Sequence, residues 1–303
     1  MEKRLLGQTG MEVSALGFGG AEIGFERAQT FDVARLLGAA LDAGLNVIDT
    51  AECYWAGDEA SASERLIGDA MGHRRKEYFL FTKTGHAAGI DAPDWSPELI
   101  EQGIERSLKR LRTDCIDLVQ LHSCSKEVLE RGEVITALQK ARDAGKTRFI
   151  GYSGENAAAE YAISCGAFDT LQTSVSIADQ RGIELILPKA VEAGMGIIAK
   201  RPIANAAWRW KNETECPAYP LPYFRRLNKL AYPFLSGPDA ASVALRFTLA
   251  QPGIGTAIVG TKNPERWAQN AALLEAGPLP EAEVEAIRSR WRTVAAADWV
   301  GQV

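Results

Sequence analysis

Asn46-Val47-Ile48-Asp49-Thr50-Ala51-Glu52-Cys53-Tyr54 is a short apolar run, introduced by Leu45, that stops at an acid and a nearby phenol. A buried strand that ends this way delivers polar groups to a loop. Two later runs behave alike. Tyr78-Phe79-Leu80-Phe81-Thr82 leads into Lys83, and Ile116-Asp117-Leu118-Val119-Gln120-Leu121 leads into His122. An acid, a phenol, an ammonium and an imidazole therefore sit at or just past the ends of three strands. In a parallel barrel those ends converge on one face, where active sites lie.

Outward from this stretch the chain alternates. Strand ends fall near residues 18, 49, 83, 122, 153, 173, 200 and 260. Helical patterns occupy 30–43, 61–71, 97–111, 133–144, 155–165, 182–193, 239–250, 264–274 and 281–296. The first repeats Phe31, Ala34, Leu37 and Leu41 and stops at Gly44, a C-cap signal. Ser96-Pro97 reads as an N-cap with proline at the first helical position. Strand-then-helix units of this size imply parallel strands joined by right-handed crossovers. Eight of them imply a closed (β/α)8 TIM barrel, an α/β fold. Residues 3–6 and 12–15, around Gln8-Thr9-Gly10, predict an N-terminal β-hairpin. The long step between the seventh and eighth strands predicts an insertion at 202–237, a long loop on the active face. The 303 residues read as a single domain.

Composition narrows the function. The formal charge is −5 and no basic run is interleaved with aromatics, which argues against a nucleic-acid partner. No stretch approaches the ~18 apolar residues of a membrane span, and the N-terminus lacks an apolar signal core. Five cysteines without a CxxC, and only three histidines, argue against a disulfide framework or a metal site, and fit a reducing cytoplasm. Gly17-Phe18-Gly19 has Glu22 where a dinucleotide fingerprint needs its third glycine, so a Rossmann reading is rejected.

The four polar groups suit one chemistry. A phenol titrates near ~10. The Lys83 ammonium is expected to lower the Tyr54 value toward neutrality, with Asp49 keeping the lysine charged. Tyr54 so tuned is a proton donor for a carbonyl oxygen, and His122 orients or polarises that oxygen. The set holds neither a nucleophile nor a metal site, so a nicotinamide cofactor is expected to supply hydride.

At this point the sequence resembles an aldo-keto reductase. The matching motifs are Asp49 and Tyr54 in DTAECY, Ser63-Glu64-Arg65-Leu66-Ile67-Gly68, Lys83 in FTK and His122 in LVQLHS. The similarity runs from Leu16-Gly17-Phe18-Gly19 to Gly260-Thr261 and Asn270. It implies that Tyr54 is the general acid, Lys83 and Asp49 its tuning pair, and His122 the carbonyl-orienting group. It also implies a small-molecule carbonyl substrate. Ser153 and Gln172 match the family's nicotinamide-carboxamide contacts, but Gly154 stands where an asparagine usually follows. Lys200 replaces the usual stacking tyrosine, and Arg201 is expected to reach the pyrophosphate. Gly260, Thr261, Lys262 and Arg266 open the phosphate-binding helix, and Gln269 and Asn270 match adenine contacts. Gly260 replaces a common lysine. Lys262 and Arg266 compensate for it, which keeps NADP(H) ahead of NAD(H).

Two rivals stand beside this reading. One is an NADP(H)-binding regulatory or redox-sensing subunit with little turnover. The other is a Schiff-base aldolase using Lys83 or Lys200, which leaves Asp49 and Tyr54 without a role. Among the loop tryptophans Trp55, Trp95, Trp208, Trp210 and Trp299, one or two are expected to line the substrate pocket. Cys53 reads as buried filler.

Overall fold

A computed structural model describes residues 1–302. The strands are β1 (Lys3–Leu5), β2 (Glu12–Ser14), β3 (Leu16–Gly19), β4 (Val47–Asp49), β5 (Phe79–Thr84), β6 (Ile116–His122), β7 (Thr147–Ser153), β8 (Thr170–Ser174), β9 (Gly196–Lys200) and β10 (Ile254–Gly260). The last eight close a barrel in the order β10-β3-β4-β5-β6-β7-β8-β9, every neighbour parallel. The expected TIM barrel is therefore present, with β1 and β2 forming the separate antiparallel hairpin.

Alternation along the strands sorts their side chains into two cores. Ile48, Leu80, Val119, Leu121, Ile150, Leu171, Ile197 and Val259 face outward and pack under the helices. Val47, Phe81, Leu118 and Ile198 face inward, where they meet Leu6, Met11 and Val13 of the hairpin. The hairpin thus plugs the N-terminal end of the barrel. Two or four residues further along the same inward rows come Asp49, Lys83, Gln120, His122, Ser153, Lys200 and Gly260. The polar ends of the rows meet at the opposite, C-terminal mouth.

The helices follow the predicted pattern with local departures. Pro97–Leu111 begins at Ser96, whose hydroxyl accepts from the Leu99 amide at 3.2 Å. The pattern at 182–193 is two helices, Arg181–Leu185 and Leu187–Glu192, because Pro188 has no amide hydrogen to continue the first. The pattern at 61–71 starts at Ser63, since Glu59–Ser61 forms a separate tight turn capped by Asp58. Three short helices went unread: Ala21–Phe25, Lys126–Arg131, and Leu221–Leu230 inside the insertion. Among the described residues no helix is long and apolar enough to cross a membrane.

Candidate active site

Lys83 is the hub of the barrel mouth. Its Nζ donates to Asp49 Oδ1 at 2.5 Å and to the Thr50 carbonyl at 2.8 Å. Both side chains of the pair are 1% exposed. Nζ also lies 5.0 Å from the centre of the Tyr54 ring. Burial by itself would push the ammonium down, but Asp49 and then Tyr54 more than offset it and hold the lysine above its ordinary value.

Tyr54 corrects one expectation. Lys83 does pull the phenol down, but burial acts more strongly, and the result is pushed up to about 12 rather than toward neutrality. The Asp49 carboxylate, needed to keep Lys83 charged, works in the same upward direction. Tyr54 therefore stays protonated, the form a proton donor needs.

The backbone around Tyr54 is fixed on both sides. The Glu52 amide donates to the Lys83 carbonyl at 3.2 Å, and the Ser63 amide donates to the Tyr54 carbonyl at 2.9 Å. Gly24 makes the second contact possible: a Cβ there would fall 2.0 Å from the Tyr54 carbonyl oxygen.

His122 stands edge-on to Tyr54, ring centres 5.6 Å apart, at an interplanar angle of 79°. On another side it meets His86 at 5.2 Å, and His86 packs against Trp95 at 4.7 Å. Burial first, then the positive Lys83, holds His122 well below the usual histidine range, so its ring is neutral. Phe25 packs on Tyr54 at 5.6 Å while 53% exposed. Phe25, Tyr54, His122, His86 and Trp95 form a continuous aromatic rim. Trp95 is the loop tryptophan that joins it. Trp55 lies beneath Arg110, Trp210 beneath Arg209, and Trp299 packs on Trp291.

The predicted cofactor contacts divide into three groups. Ser153 Oγ donates to Gln172 Oε1 at 3.0 Å, and Gln172 Nε2 donates to Asp49 Oδ2 at 2.9 Å. These two residues are thus wired to the Asp49–Lys83 pair. Gly154 has a steric cause: a Cβ would fall 2.3 Å from the hydroxyl oxygen of Tyr152, which donates to the Cys124 carbonyl at 2.7 Å. The Tyr152 ring leaves no room for the family asparagine.

At the seventh barrel strand, Lys200 Nζ sits 3.2 Å from Glu155 Oε1. The same carboxylate accepts from Thr173 Oγ1 at 2.6 Å and the Ser174 amide at 2.8 Å. Arg201 is committed within the chain: it donates to Tyr219 Oη at 2.8 Å, to Ser174 Oγ at 3.0 Å and to the Gln302 carbonyl. Arg201, Ala204, Asn205 and Ala206 all have positive φ, between 46° and 56°. For residues with a Cβ that is a strained stretch, of the kind that collects at functional sites.

At the last strand, Gly260 is close-packed. A Cβ would lie 3.0 Å from the Gly19 carbonyl oxygen and 3.6 Å from Glu22 Cδ. Thr261 Oγ1 accepts from the Asn263 amide at 3.1 Å, and Asn263 Oδ1 accepts from the Glu265 amide at 2.9 Å, capping the helix Pro264–Ala272. Lys262 is paired with Glu26 at 2.5 Å. Arg266 and Gln269 are exposed, whereas Asn270 is buried.

Sequence reasoning missed three contributors. Gln120 precedes His122 by two on the same inward row, so alternation could have found it. Glu155 holds Lys200 but lies beyond the strand, where no pattern points to it. Cys53 is half-buried, not filler, and its Sγ lies 3.4 Å from His122 Nδ1.

The model of the Aldo/keto reductase family matches residues 15–292. The chain is 29% identical to the protein named "Uncharacterized oxidoreductase YqkF" of Bacillus subtilis, over 95% of this chain and 96% of that one. It is 30% identical to L-galactose dehydrogenase of Arabidopsis thaliana, over 90% of this chain and 88% of that one. The holo form of aldo-keto reductase AKR11C1 from Bacillus halodurans superposes with a TM-score of 0.83 at 27% identity, covering 99% of both chains.

Proposed function

The chain belongs to the aldo/keto reductase family, and from that premise we propose that it reduces an aldehyde or ketone to the alcohol with a nicotinamide cofactor, Tyr54 giving the proton. The observation that carries this reading is the buried Lys83 ammonium, locked to Asp49 at 2.5 Å and set beside the Tyr54 ring.

The residues present fit such a cofactor. Asn205 Nδ2 and Asn270 Nδ2 are buried donors with no hydrogen-bond partner among the described residues. Buried amide donors without partners are costly, and a polar ligand satisfies them. Ser153 and Gln172 would hold the carboxamide, Thr261 and the capped helix start the phosphates, and Arg266, Gln269 and Asn270 the adenosine end. Arg201 and Lys200, each also held by partners within the chain, would stand at the nicotinamide and pyrophosphate end. When bound, such a cofactor would supply the hydride for the carbonyl carbon.

The protein's own groups manage the oxygen. His122, being neutral, offers a ring N–H to the carbonyl oxygen without carrying charge. Tyr54 donates its proton as negative charge develops there. A phenol at about 12 remains a stronger acid than the alcohol formed, so the transfer runs downhill. Lys83 stabilises the phenolate left behind. For the 2′-phosphate, Arg266 is the available cation: among the described residues it has no ion-pair partner, whereas Lys262 is held by Glu26. This supports NADP(H) ahead of NAD(H), on one cation rather than two.

The test is a fluorescence titration with NADPH and NADH, followed by a carbonyl panel on wild type and Tyr54→Phe. Binding with a fall of ~10²–10⁴ in kcat for the variant is expected. Full reduction by Tyr54→Phe would overturn the acid assignment. Cofactor that binds without any turnover would favour a regulatory subunit.

A further inference from the structure

We propose that Cys53 is a positioning residue for carbonyl reduction: its thiol donates to His122 Nδ1 and so fixes the ring in the tautomer whose Nε2–H is free for the substrate oxygen. The inference rests on the function proposed above and deepens it by naming what orients the histidine.

A neutral imidazole has one N–H and one bare nitrogen, and its neighbours decide which is which. Cys53 Sγ, at 3.4 Å, is the partner of Nδ1. His86 and Tyr54 meet the ring through their own rings, at 5.2 and 5.6 Å, and among the described residues Cys53 alone makes a side-chain hydrogen bond to it. The choice therefore falls to the thiol. Sulfur is a weak donor and a weak acceptor, so the bare imidazole nitrogen is the stronger acceptor of the two and S–H to Nδ1 is the favoured direction. Burial pushes the Cys53 thiol up to about 12, so it keeps its proton to donate.

The placement of Cys53 is rigid enough to serve this purpose. Its neighbours are pinned by Glu52 N–H to the Lys83 carbonyl, by Arg110 to the Glu52 carbonyl at 3.1 Å, and by Ser63 N–H to the Tyr54 carbonyl. The backbone that positions the acid Tyr54 thus also positions the thiol one residue earlier. A single loop sets both the proton donor and the tautomer of the group beside it.

The experiment compares wild type, Cys53→Ala and Cys53→Ser. Imidazole ¹⁵N NMR, with His122 assigned through His122→Asn, reads the tautomer directly. Wild type is expected to show a bare Nδ1 and a protonated Nε2. Cys53→Ala should mix the tautomers and lower kcat by on the order of tenfold, with the cofactor dissociation constant unchanged. Cys53→Ser, which retains a hydrogen-bond donor, should recover most of the loss and the wild-type tautomer. A proton on Nδ1 in wild type overturns the proposal, as does a Cys53→Ala protein with wild-type kcat and tautomer. If Cys53→Ala does not fold, the wild-type and Cys53→Ser spectra still decide. The tautomer is measured without turnover, so failure here is separable from failure of the reductase reading, which rests on Tyr54→Phe.

Discussion

Lys83 Nζ lies 2.5 Å from Asp49 Oδ1, and neither side chain is more than 1% exposed. Removing one partner of such a pair leaves an uncompensated buried charge, at a cost of ~3–5 kcal/mol. Asp49→Asn keeps the shape and removes the charge, so it should lose about that much stability in denaturant unfolding, together with activity. Asp49→Asn combined with Lys83→Met removes both charges and should recover much of the stability without the activity. A double variant as unstable as the single one would show that the pair is not what the barrel mouth depends on.

Behind the site, Glu52 is 1% exposed, and among the described residues neither of its carboxyl oxygens has a hydrogen-bond partner within 3.5 Å. Burial first, then the adjacent Glu64, pushes its carboxyl from an ordinary 4.5 up to about 8, against the pull of Arg106 at 3.6 Å. A carboxyl raised on folding gives stability that is complete below the unfolded value and is lost as pH rises through the folded one. Wild type should therefore weaken between about pH 4.5 and 8. Glu52→Gln should escape that loss, with an advantage in Tm that is small at pH 5 and large at pH 9. An alkaline Tm below that of wild type would mean that Glu52 is ionised and paired with Arg106.

The same burial marks the limit of what could be read in advance. The strands and the four catalytic candidates were legible because inward alternation carries Val47 to Asp49 and Phe81 to Lys83, and this needs only sequence spacing. The direction of the Tyr54 shift was not legible. It is a contest between Lys83 and the surrounding apolar atoms, and only the packed structure sets the winner. Gly154 looked like a missing ligand, but its cause is the Tyr152 ring two residues away. The engagement of Arg201 and Lys262 with Gln302 and Glu26 depends on contacts across the mouth that no local pattern encodes.

Gly24 is the point where the short helix Ala21–Phe25 touches the loop that carries Tyr54. A Cβ there would fall 2.0 Å from the Tyr54 carbonyl oxygen and 3.2 Å from Ser63 Cβ, so backbone must move. Gly24→Ala should cost ~1–3 kcal/mol, as overpacking does. It should also lower kcat by up to ~10²-fold through displacement of the phenol. Cofactor titration reads whether the shift spreads, since Glu22 and Glu26 of the same segment lie against Gly260 and Lys262. A variant with normal kcat would show that the Tyr54 loop absorbs the shift without moving the hydroxyl.

Lys262 and Glu26 lie 2.5 Å apart, both about half exposed, at the end of the barrel where a 2′-phosphate would sit. Glu26 competes with that phosphate for the lysine and repels it directly, and Glu22 beside Gly260 adds to the repulsion. Glu26→Ala should therefore strengthen NADPH binding relative to NADH by a few-fold, and the gain should shrink as salt is raised. Arg266→Ala should shift the ratio the other way, because its guanidinium has no competing ion-pair partner among the described residues. If neither variant moves the ratio of the two dissociation constants, the phosphate is not read at this helix. Gln269 and Asn270, expected at the adenine that both cofactors share, would supply no preference in its place.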